Sequence, residues 1–276
     1  MSIQWFPGHM AKARRLLTEQ LRWVDVVIEL ADARIPFSSR NPMLINLIGN
    51  KPKLILLNKA DLAEPLWTAK WLEKLRVSGP VYAVSATSGS GIRQIVPELE
   101  SMFKAKQAKQ AQKGIRPQMI KVMIVGIPNI GKSSLINQLT GGSQAKTGNK
   151  PGVTKGNQWI RIHERVELLD TPGMLWPKFE DPEAARKLAI LGAVKDEVFD
   201  NEELSIWMID WLTKYFPKTL QRYQKSEMEV TLESIGRQRG CLLHGGRVDV
   251  LKAAQIFLRE LRSGQLGPLT MDLFFE

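Results

Sequence analysis

Residues 126–134, GIPNIGKSS, have the types and spacing that hold phosphate groups. The pattern GxxxxGKS predicts a phosphate-binding loop, because Gly126 and Gly131 let the backbone turn so that successive N–H groups face a phosphate. Lys132 is expected to reach the β- and γ-phosphates, and the Ser133 hydroxyl is suited to Mg²⁺. The nucleotide-binding candidates here are Asn129, Ile130, Gly131, Lys132, Ser133 and Ser134. The alternative is a glycine-containing turn between a strand and a helix.

A second polar segment, NKAD at 58–61, has chemistry that suits guanine. The Asp61 carboxylate can accept from the N1–H and the exocyclic amine, a donor pair that adenine does not present. Asn58 can tie the loop to the base, and the stem of Lys59 can cover the ring face, with Ala60 between Lys59 and Asp61. Alone, these residues could form an ordinary turn; beside a phosphate loop they predict GTP or GDP as the ligand.

Three further segments offer contacts to the nucleotide. In VSATSGSG, the backbone N–H groups of Ser85 and Ala86 could meet the base oxygen. Thr154 lies in a Gly- and Lys-rich segment where its hydroxyl could close onto Mg²⁺ when a γ-phosphate is present. In DTPG, Asp170 can hold Mg²⁺ through water, and the Gly173 N–H can sense the γ-phosphate.

The elements that must position these residues follow from hydrophobic periodicity. Apolar runs predict strands at 25–31, 52–57, 81–84 and just before the phosphate loop, and a hairpin at 157–163 and 165–169; helical patterns occupy 11–23, 42–48, 67–76, 92–113 and the stretch from the phosphate loop to 139. This order predicts an α/β fold, a six-stranded, mostly parallel sheet with the strand before the phosphate loop at its centre. Helical patterns at 182–195, 201–215 and 249–262 predict a smaller all-helical domain, which divides the chain into 1–178 and 179–276.

Composition and charge limit the compartment and the classes of binding partner that we expect. The chain has 276 residues, 43% of them hydrophobic, with one cysteine and no membrane-length apolar run, so we expect a cytoplasmic protein without a membrane partner. The net charge is +11, and no acidic residue occurs between Glu100 and Glu164. This basic stretch favours a polyanion such as RNA, although a solvated lysine-rich helix face at 103–113 is an alternative. Arg237, Arg239 and Arg247 could contact RNA phosphate or solvent.

The motifs resemble those of translation-factor-type GTPases, but in the order NKAD, SAT, GIPNIGKS, PGVT, DTPG. This order resembles the circularly permuted GTPases, and the segments WFPGHMAKA, DARIPFSSRNP and DTPGMLWPKFED are similar to the bacterial ribosome biogenesis GTPase A family. The resemblance implies a Mg²⁺-dependent GTPase switch in large-subunit assembly, with the large ribosomal subunit, its rRNA and immature large-subunit particles as partners, hydrolysis stimulated by the particle, and a monomeric protein. The alternative is a GTP-ordered RNA-binding module with little hydrolysis of its own.

The catalytic candidates are Lys132, Thr154, Gly173 and His9. Met174 follows the DTPG glycine, where the best-known GTPases carry a glutamine that orients the attacking water, and a thioether cannot replace that amide. His9, in a Pro-Gly turn before the first helix, is the candidate that the family resemblance also indicates; a surface imidazole that caps the helix is the alternative. Asn129 resembles the asparagine that helps bind K⁺ in related GTPases.

Overall fold

The computed structural model describes residues 7–114, 116, 118–142, 158–170, 181–194, 196–224 and 229–274, with the backbone alone at 7–13, 158, 170 and 197. The chain divides into two compact units. The sheet unit comprises Met1–Phe179 and Asp272–Glu276, and the helical unit comprises Glu180–Met271. The first boundary lies beside the one that the sequence indicates. The sequence places Asp272–Glu276 in the second domain, whereas in the structure this segment groups with the sheet unit.

The sheet unit contains a six-stranded sheet in the order β3-β2-β1-β4-β6-β5. The strands are β1 (Val26–Asp32), β2 (Lys53–Asn58), β3 (Val81–Ala83), β4 (Ile120–Val125), β5 (Gln158–His163) and β6 (Val166–Asp170). All neighbouring pairs are parallel except the β5–β6 hairpin. The predicted sheet is therefore confirmed, and the strand before the phosphate loop, β4, lies next to β1 at its centre.

The sheet is buried because its strands are apolar on both faces, as parallel sheets require. All seven residues of β1 are buried. On one face, Leu17 and Leu21 of the first helix pack with Val27, Met123 and Leu169, which lie on three different strands. Further along the same face, Trp71 and Leu75 cover Ile55 and Leu57. These side chains are the hydrophobic core of the unit, and they fix the strand ends that carry the polar motifs.

In the described part of the sheet unit, five α-helices accompany the sheet: α1 (Pro7–Leu21), α2 (Pro42–Ile48), α3 (Pro65–Leu75), α4 (Ile95–Gln112) and α5 (Lys132–Thr140). Three of them begin at proline, whose missing N–H costs nothing in the first turn. At α2 the Asn41 side chain caps the helix, because it accepts from the Met43 and Leu44 amides. At α1 the start at Pro7 puts His9 inside the first turn, so the predicted turn before this helix is wrong.

The helical unit consists of α6 (Pro182–Ile190), α7 (Asn201–Tyr215), α8 (Pro217–Leu220), α9 (Leu232–Gln238) and α10 (Val250–Arg262). The apolar face of α10 is centred on Phe257, which is fully buried. A polar cluster joins α10 to its neighbours, because Glu260 accepts from both the Tyr223 hydroxyl and the Arg239 guanidinium. Among the described residues, no helix is long and apolar enough to cross a membrane.

Asp272–Phe274 form a short strap that packs within the sheet unit. The Asp272 carboxylate accepts from the Phe37 amide at 2.8 Å, the Ser38 amide at 2.7 Å and the Ser38 hydroxyl at 2.7 Å. The Trp71 indole N–H donates to the Asp272 carbonyl at 2.7 Å, and the Phe274 ring lies edge-on to Trp71 at 5.0 Å. The strap therefore holds the loop that follows β1.

Candidate functional site

The polar motifs meet at one edge of the sheet. Because β1, β2, β3 and β4 are parallel neighbours, their carboxyl ends lie together. Asp32 ends β1, Asn58 ends β2, Ser85 and Ala86 follow β3, and Gly126 follows β4. Segments that are far apart in the sequence thus form a single site, regardless of the order in which the chain visits them.

The phosphate loop requires its glycines because other parts of the site approach them closely. A Cβ on Gly126 would lie 2.7 Å from the Leu30 carbonyl oxygen of β1, and one on Gly131 would lie 2.3 Å from the Asn58 amide nitrogen. Gly131 also has a φ of +102°, which disfavours other residues. Immediately after it, α5 begins at Lys132, so the first N–H groups of this helix are available to an anion.

The Lys132 ammonium lies folded over this loop. It donates to the carbonyl oxygens of Gly126 at 3.2 Å and Ile127 at 2.8 Å. These contacts hold a positive charge above the loop that the sequence assigns to phosphate. Ser133 and Ser134, in the first turn of α5, are half-buried beside it.

Asn58 joins the phosphate loop to the loop after β3. The residue is 2% exposed. Its amide nitrogen donates to the Ile130 carbonyl at 2.8 Å, and its amide oxygen accepts from the Ala86 N–H at 3.0 Å. The sequence predicted that Asn58 would tie its own loop to the base. In the structure it bridges two other loops of the site, and its contact with the base stays a prediction.

Lys59 connects the same loop to two further groups. Its ammonium donates to the Asn129 carbonyl in the phosphate loop at 2.9 Å and lies 3.1 Å from the Asp32 carboxylate. Burial lowers the pKa of Lys59, while the Asp32 carboxylate opposes that effect. The side chain thus links the ends of β1 and β2 to the phosphate loop.

Asp32 and Arg34 were not among the candidates from the sequence. Their side chains are each 3% exposed, and the Arg34 guanidinium donates to both oxygens of the Asp32 carboxylate at 2.9 Å. Burial alone would raise the pKa of Asp32, but Arg34 and Lys59 outweigh it and hold that pKa well below its usual range. Asp32 is therefore a fixed negative charge. The available signal was a charged residue directly after a strongly apolar strand.

Of the residues assigned to the base, Asp61 is exposed, whereas the Ser85 and Ala86 amides are hydrogen-bonded within the protein. Asp61 is exposed in a one-turn helix, Ala60–Leu62, and the Ala60 amide donates to the Val84 carbonyl at 3.1 Å. The Ser85 amide donates to the Ser90 carbonyl at 2.9 Å. Because the Ser85 and Ala86 amides both have acceptors within the protein, their contact with a base oxygen stays a prediction that requires one of them to change or share its partner.

The predicted Mg²⁺ ligands are described in part. Ser133 lies in the first turn of α5, and the backbone of Asp170 ends β6, the parallel neighbour of β4. Their hydroxyl and carboxylate oxygens are the ligands that Mg²⁺ prefers, with phosphate oxygens completing the shell. In the described part of the chain no three acidic, His or Cys residues cluster as a metal site, and a phosphate-assisted Mg²⁺ site needs no such cluster. Thr154, Gly173 and Met174 lie outside the described residues.

The remaining predicted residues are His9 and Asn129. The backbone of His9 lies in the first turn of α1. Asn129 is exposed in the phosphate loop, with a φ of +57°. Its position at this loop leaves both the predicted nucleotide contact and the predicted K⁺ contact as hypotheses.

Comparisons with known proteins agree with this geometry. A family model described as "50S ribosome-binding GTPase" matches residues 121–240. Ribosome biogenesis GTPase A of Priestia megaterium is 48% identical over 99% of this chain and 97% of its own length. Mitochondrial ribosome-associated GTPase 1 of Mus musculus is 36% identical over 98% of this chain and 90% of its own.

The chain is also similar to two solved structures of YlqF over nearly its full length. GDP-bound YlqF matches with a TM-score of 0.67 and 27% identity, covering 94% of this chain and 98% of that one. GNP-bound YlqF from T. maritima matches with a TM-score of 0.65 and the same identity, covering 94% and 97%. NKAD, SAT and the phosphate loop lie together at one edge of the sheet, and the curated relatives match nearly the full chain at up to 48% identity, so the chain belongs to the ribosome biogenesis GTPase A family of GTP-hydrolysing enzymes.

Proposed function

We propose that this chain is a cytoplasmic, Mg²⁺-dependent GTPase that acts as a switch in the assembly of the large ribosomal subunit, and that the ribosomal particle stimulates its hydrolysis. The observation that carries the proposal is the Asn58 side chain, which joins the loop assigned to phosphate to the loop assigned to the base. A side chain buried between these loops couples the two ends of one nucleotide. The family and the description "50S ribosome-binding GTPase" support the choice of particle.

Nucleotide binding follows from the site. The N–H groups at the start of α5 and the Lys132 ammonium provide positive charge for the phosphates, and the Asp61 carboxylate selects guanine. Mg²⁺ would be held by Ser133 and, through water, by Asp170, with Thr154 closing when a γ-phosphate is bound. The ion would neutralise charge that develops on the phosphates during transfer.

Hydrolysis needs a group to position water, because Met174 cannot do so. We assign this role to His9. Supporting it, Leu17 and Leu21 of α1 pack in one cluster with Leu169 of β6, the strand that leads into DTPG. The helix that carries His9 is thereby anchored beside the strand that leads to the γ-phosphate sensor. K⁺ near Asn129 would add positive charge beside the phosphates.

A partner rich in RNA suits the charge of the acid-free stretch. Lys104 and Lys109 are exposed on α4, and Lys113 is exposed directly after its last residue. Other members of the stretch are engaged within the protein: Lys106 pairs with Asp25, and the Lys121 ammonium lies 5.4 Å from the centre of the Trp159 ring. The exposed lysines therefore supply the phosphate contacts in this proposal, and binding is expected to weaken with salt.

The deciding experiment measures GTP turnover with and without purified large subunits and immature large-subunit particles. We expect slow turnover alone and a rise of at least tenfold on particles. Turnover that stays at the basal rate, with particle binding that still depends on GTP, would instead establish the alternative, an RNA-binding module that GTP orders. A mixture with small subunits serves as the control for nonspecific RNA.

A further inference from the structure

Two residues of the nucleotide site have a backbone conformation that is unusual outside glycine. In the described chain, the non-glycine residues with positive φ are Lys59, at 60°, and Asn129, at 57°. Asparagine tolerates this left-handed conformation, but it is disfavoured for lysine, so at Lys59 other contacts must compensate for it. Here the compensating contact joins the two residues, because the Lys59 ammonium donates to the Asn129 carbonyl.

The same ammonium lies 3.1 Å from the Asp32 carboxylate, and other contacts hold this residue in place. The Asp32 backbone N–H donates to the Ser39 hydroxyl at 2.9 Å, and Arg34 holds both carboxylate oxygens. In the sheet, Asp32 is opposite Asn58, the residue before Lys59. The carboxylate is thus attached to the rigid end of β1 and faces the first turn of the loop after β2.

We propose that Asp32 is a positioning residue for the guanine site: it holds the Lys59 ammonium, and through it the backbone of 58–61 and the Asn129 carbonyl, in the conformation that binds nucleotide. This inference rests on the proposed assignment of NKAD to the base. Asp32 acts through Lys59, and Arg34 supplies the charge that allows a carboxylate to stay ionised when buried. Nucleotide binding then finds these loops already ordered, which reduces the conformational cost of binding.

A double-mutant cycle tests the inference, with GDP affinity measured by calorimetry on the full chain. Asp32→Asn keeps the side-chain shape and removes the charge that faces Lys59. Lys59→Met keeps the apolar stem and removes the ammonium. We expect Asp32→Asn to weaken GDP binding at least tenfold in the wild-type background and less than threefold in the Lys59→Met background, because the group on which Asp32 acts is then missing.

A merely structural Asp32 would lower GDP affinity by the same factor in both backgrounds, and that result overturns the inference, as does a loss below threefold in the wild-type background. If Asp32→Asn does not yield folded protein, the cycle is run with Asp32→Asn combined with Arg34→Gln, which removes the buried guanidinium that Asp32→Asn leaves without its carboxylate.

Glu29→Gln is the matched control. Glu29, also on β1, forms a comparable buried pair with Arg40 at 2.7 Å. We expect its loss to lower the unfolding temperature and to leave GDP affinity within twofold. A Glu29→Gln loss as large as that of Asp32→Asn would also overturn the inference. If the wild-type chain fails to bind GDP, the proposed guanine site itself fails; if it binds GDP but the cycle shows no coupling, only the role of Asp32 fails.

Discussion

The Asp272 carboxylate fixes the strap, and its removal provides a direct test of how strongly the chain end is held. Asp272→Ala removes the acceptor of three hydrogen bonds while leaving the Asp272 carbonyl that accepts from Trp71. Asp272→Asn is the matched variant. Its amide oxygen can accept from the Phe37 and Ser38 N–H groups, and its NH₂ can donate to the Ser38 hydroxyl, which is able to accept.

The magnitudes follow from these contacts. Each hydrogen bond to a charged group contributes about 1.5–3 kcal/mol, and three bonds that share one carboxylate do not add fully. We therefore expect Asp272→Ala to lower the free energy of strap opening by about 3 kcal/mol, which is roughly a hundredfold in the opening equilibrium. Asp272→Asn keeps the hydrogen bonds and loses the charge. We therefore expect it to lower the free energy of strap opening by about 1 kcal/mol, which is roughly fivefold in the opening equilibrium.

The assay is hydrogen exchange at the Trp71 indole N–H, followed by NMR on ¹⁵N-labelled protein and assigned by comparison with Trp71→Phe. Its acceptor is a backbone carbonyl that every Asp272 variant retains, so faster exchange reports local opening of the strap. Ser38→Ala removes one of the three hydrogen bonds, and we expect its Trp71 exchange rate to be close to that of Asp272→Asn. Exchange in Asp272→Ala within threefold of the wild-type rate would refute the reasoning, because the Phe274 ring contacts and the Trp71–carbonyl hydrogen bond would then hold the strap without the carboxylate.

Three other outcomes are expected. Asp61→Asn should shift base preference from GTP toward xanthosine triphosphate, at a cost to GTP binding of about 1.5–3 kcal/mol, and nucleotide titrations with the wild-type preference would contradict this. Co-sedimentation with large subunits should depend on the bound nucleotide and weaken between low and moderate salt; equal binding with GTP, GDP and no nucleotide that is also insensitive to salt would argue against an RNA switch. His9→Ala should lower the rate of single-turnover hydrolysis on saturating particles in K⁺ buffer by about 10²–10⁴-fold, with GTP affinity nearly unchanged. The control His163→Ala should leave that rate unchanged. A loss below about threefold in His9→Ala would make His9 a capping residue.

The parts of the site that the sequence could predict are those in which local chemistry dictates conformation. An apolar strand followed by GxxxxGKS leaves few options for residues 126–133, and the structure explains why, since a Cβ on Gly126 or Gly131 would collide with β1 or with Asn58. Parallel strands place their carboxyl ends together, so the convergence of NKAD and the phosphate loop followed from the fold class. Helix starts were predicted a few residues late at α1 and α3, because a proline at the first position was not counted as helical.

The parts that the sequence could not supply depend on contacts over long distances in the chain. Asp272 and Ser38 are 234 residues apart, and a single aspartate near a chain end carries no local pattern that identifies its partners. Asp32 was visible as a charge after an apolar strand, yet its pairing with Lys59 requires knowledge that β1 and β2 are neighbours in register. Pairwise recognition between elements, rather than propensity, determines these contacts.

The strap attaches the far end of the helical unit to the sheet unit. The chain enters the helical unit after DTPG and leaves it at Met271, directly before Asp272, so the helical unit is connected to the sheet unit at both of its ends. A segment that is held at both ends has less conformational freedom than one with a free end. Asp272 in turn holds Ser38, next to the Ser39 hydroxyl that accepts from the Asp32 amide. A partner that binds the helical unit can influence the loops proposed to bind guanine through these contacts only if it binds the strap-closed and strap-open forms with different affinity. Exchange at Trp71 measured with and without bound large subunits therefore decides whether the strap transmits particle binding: equal rates would exclude it.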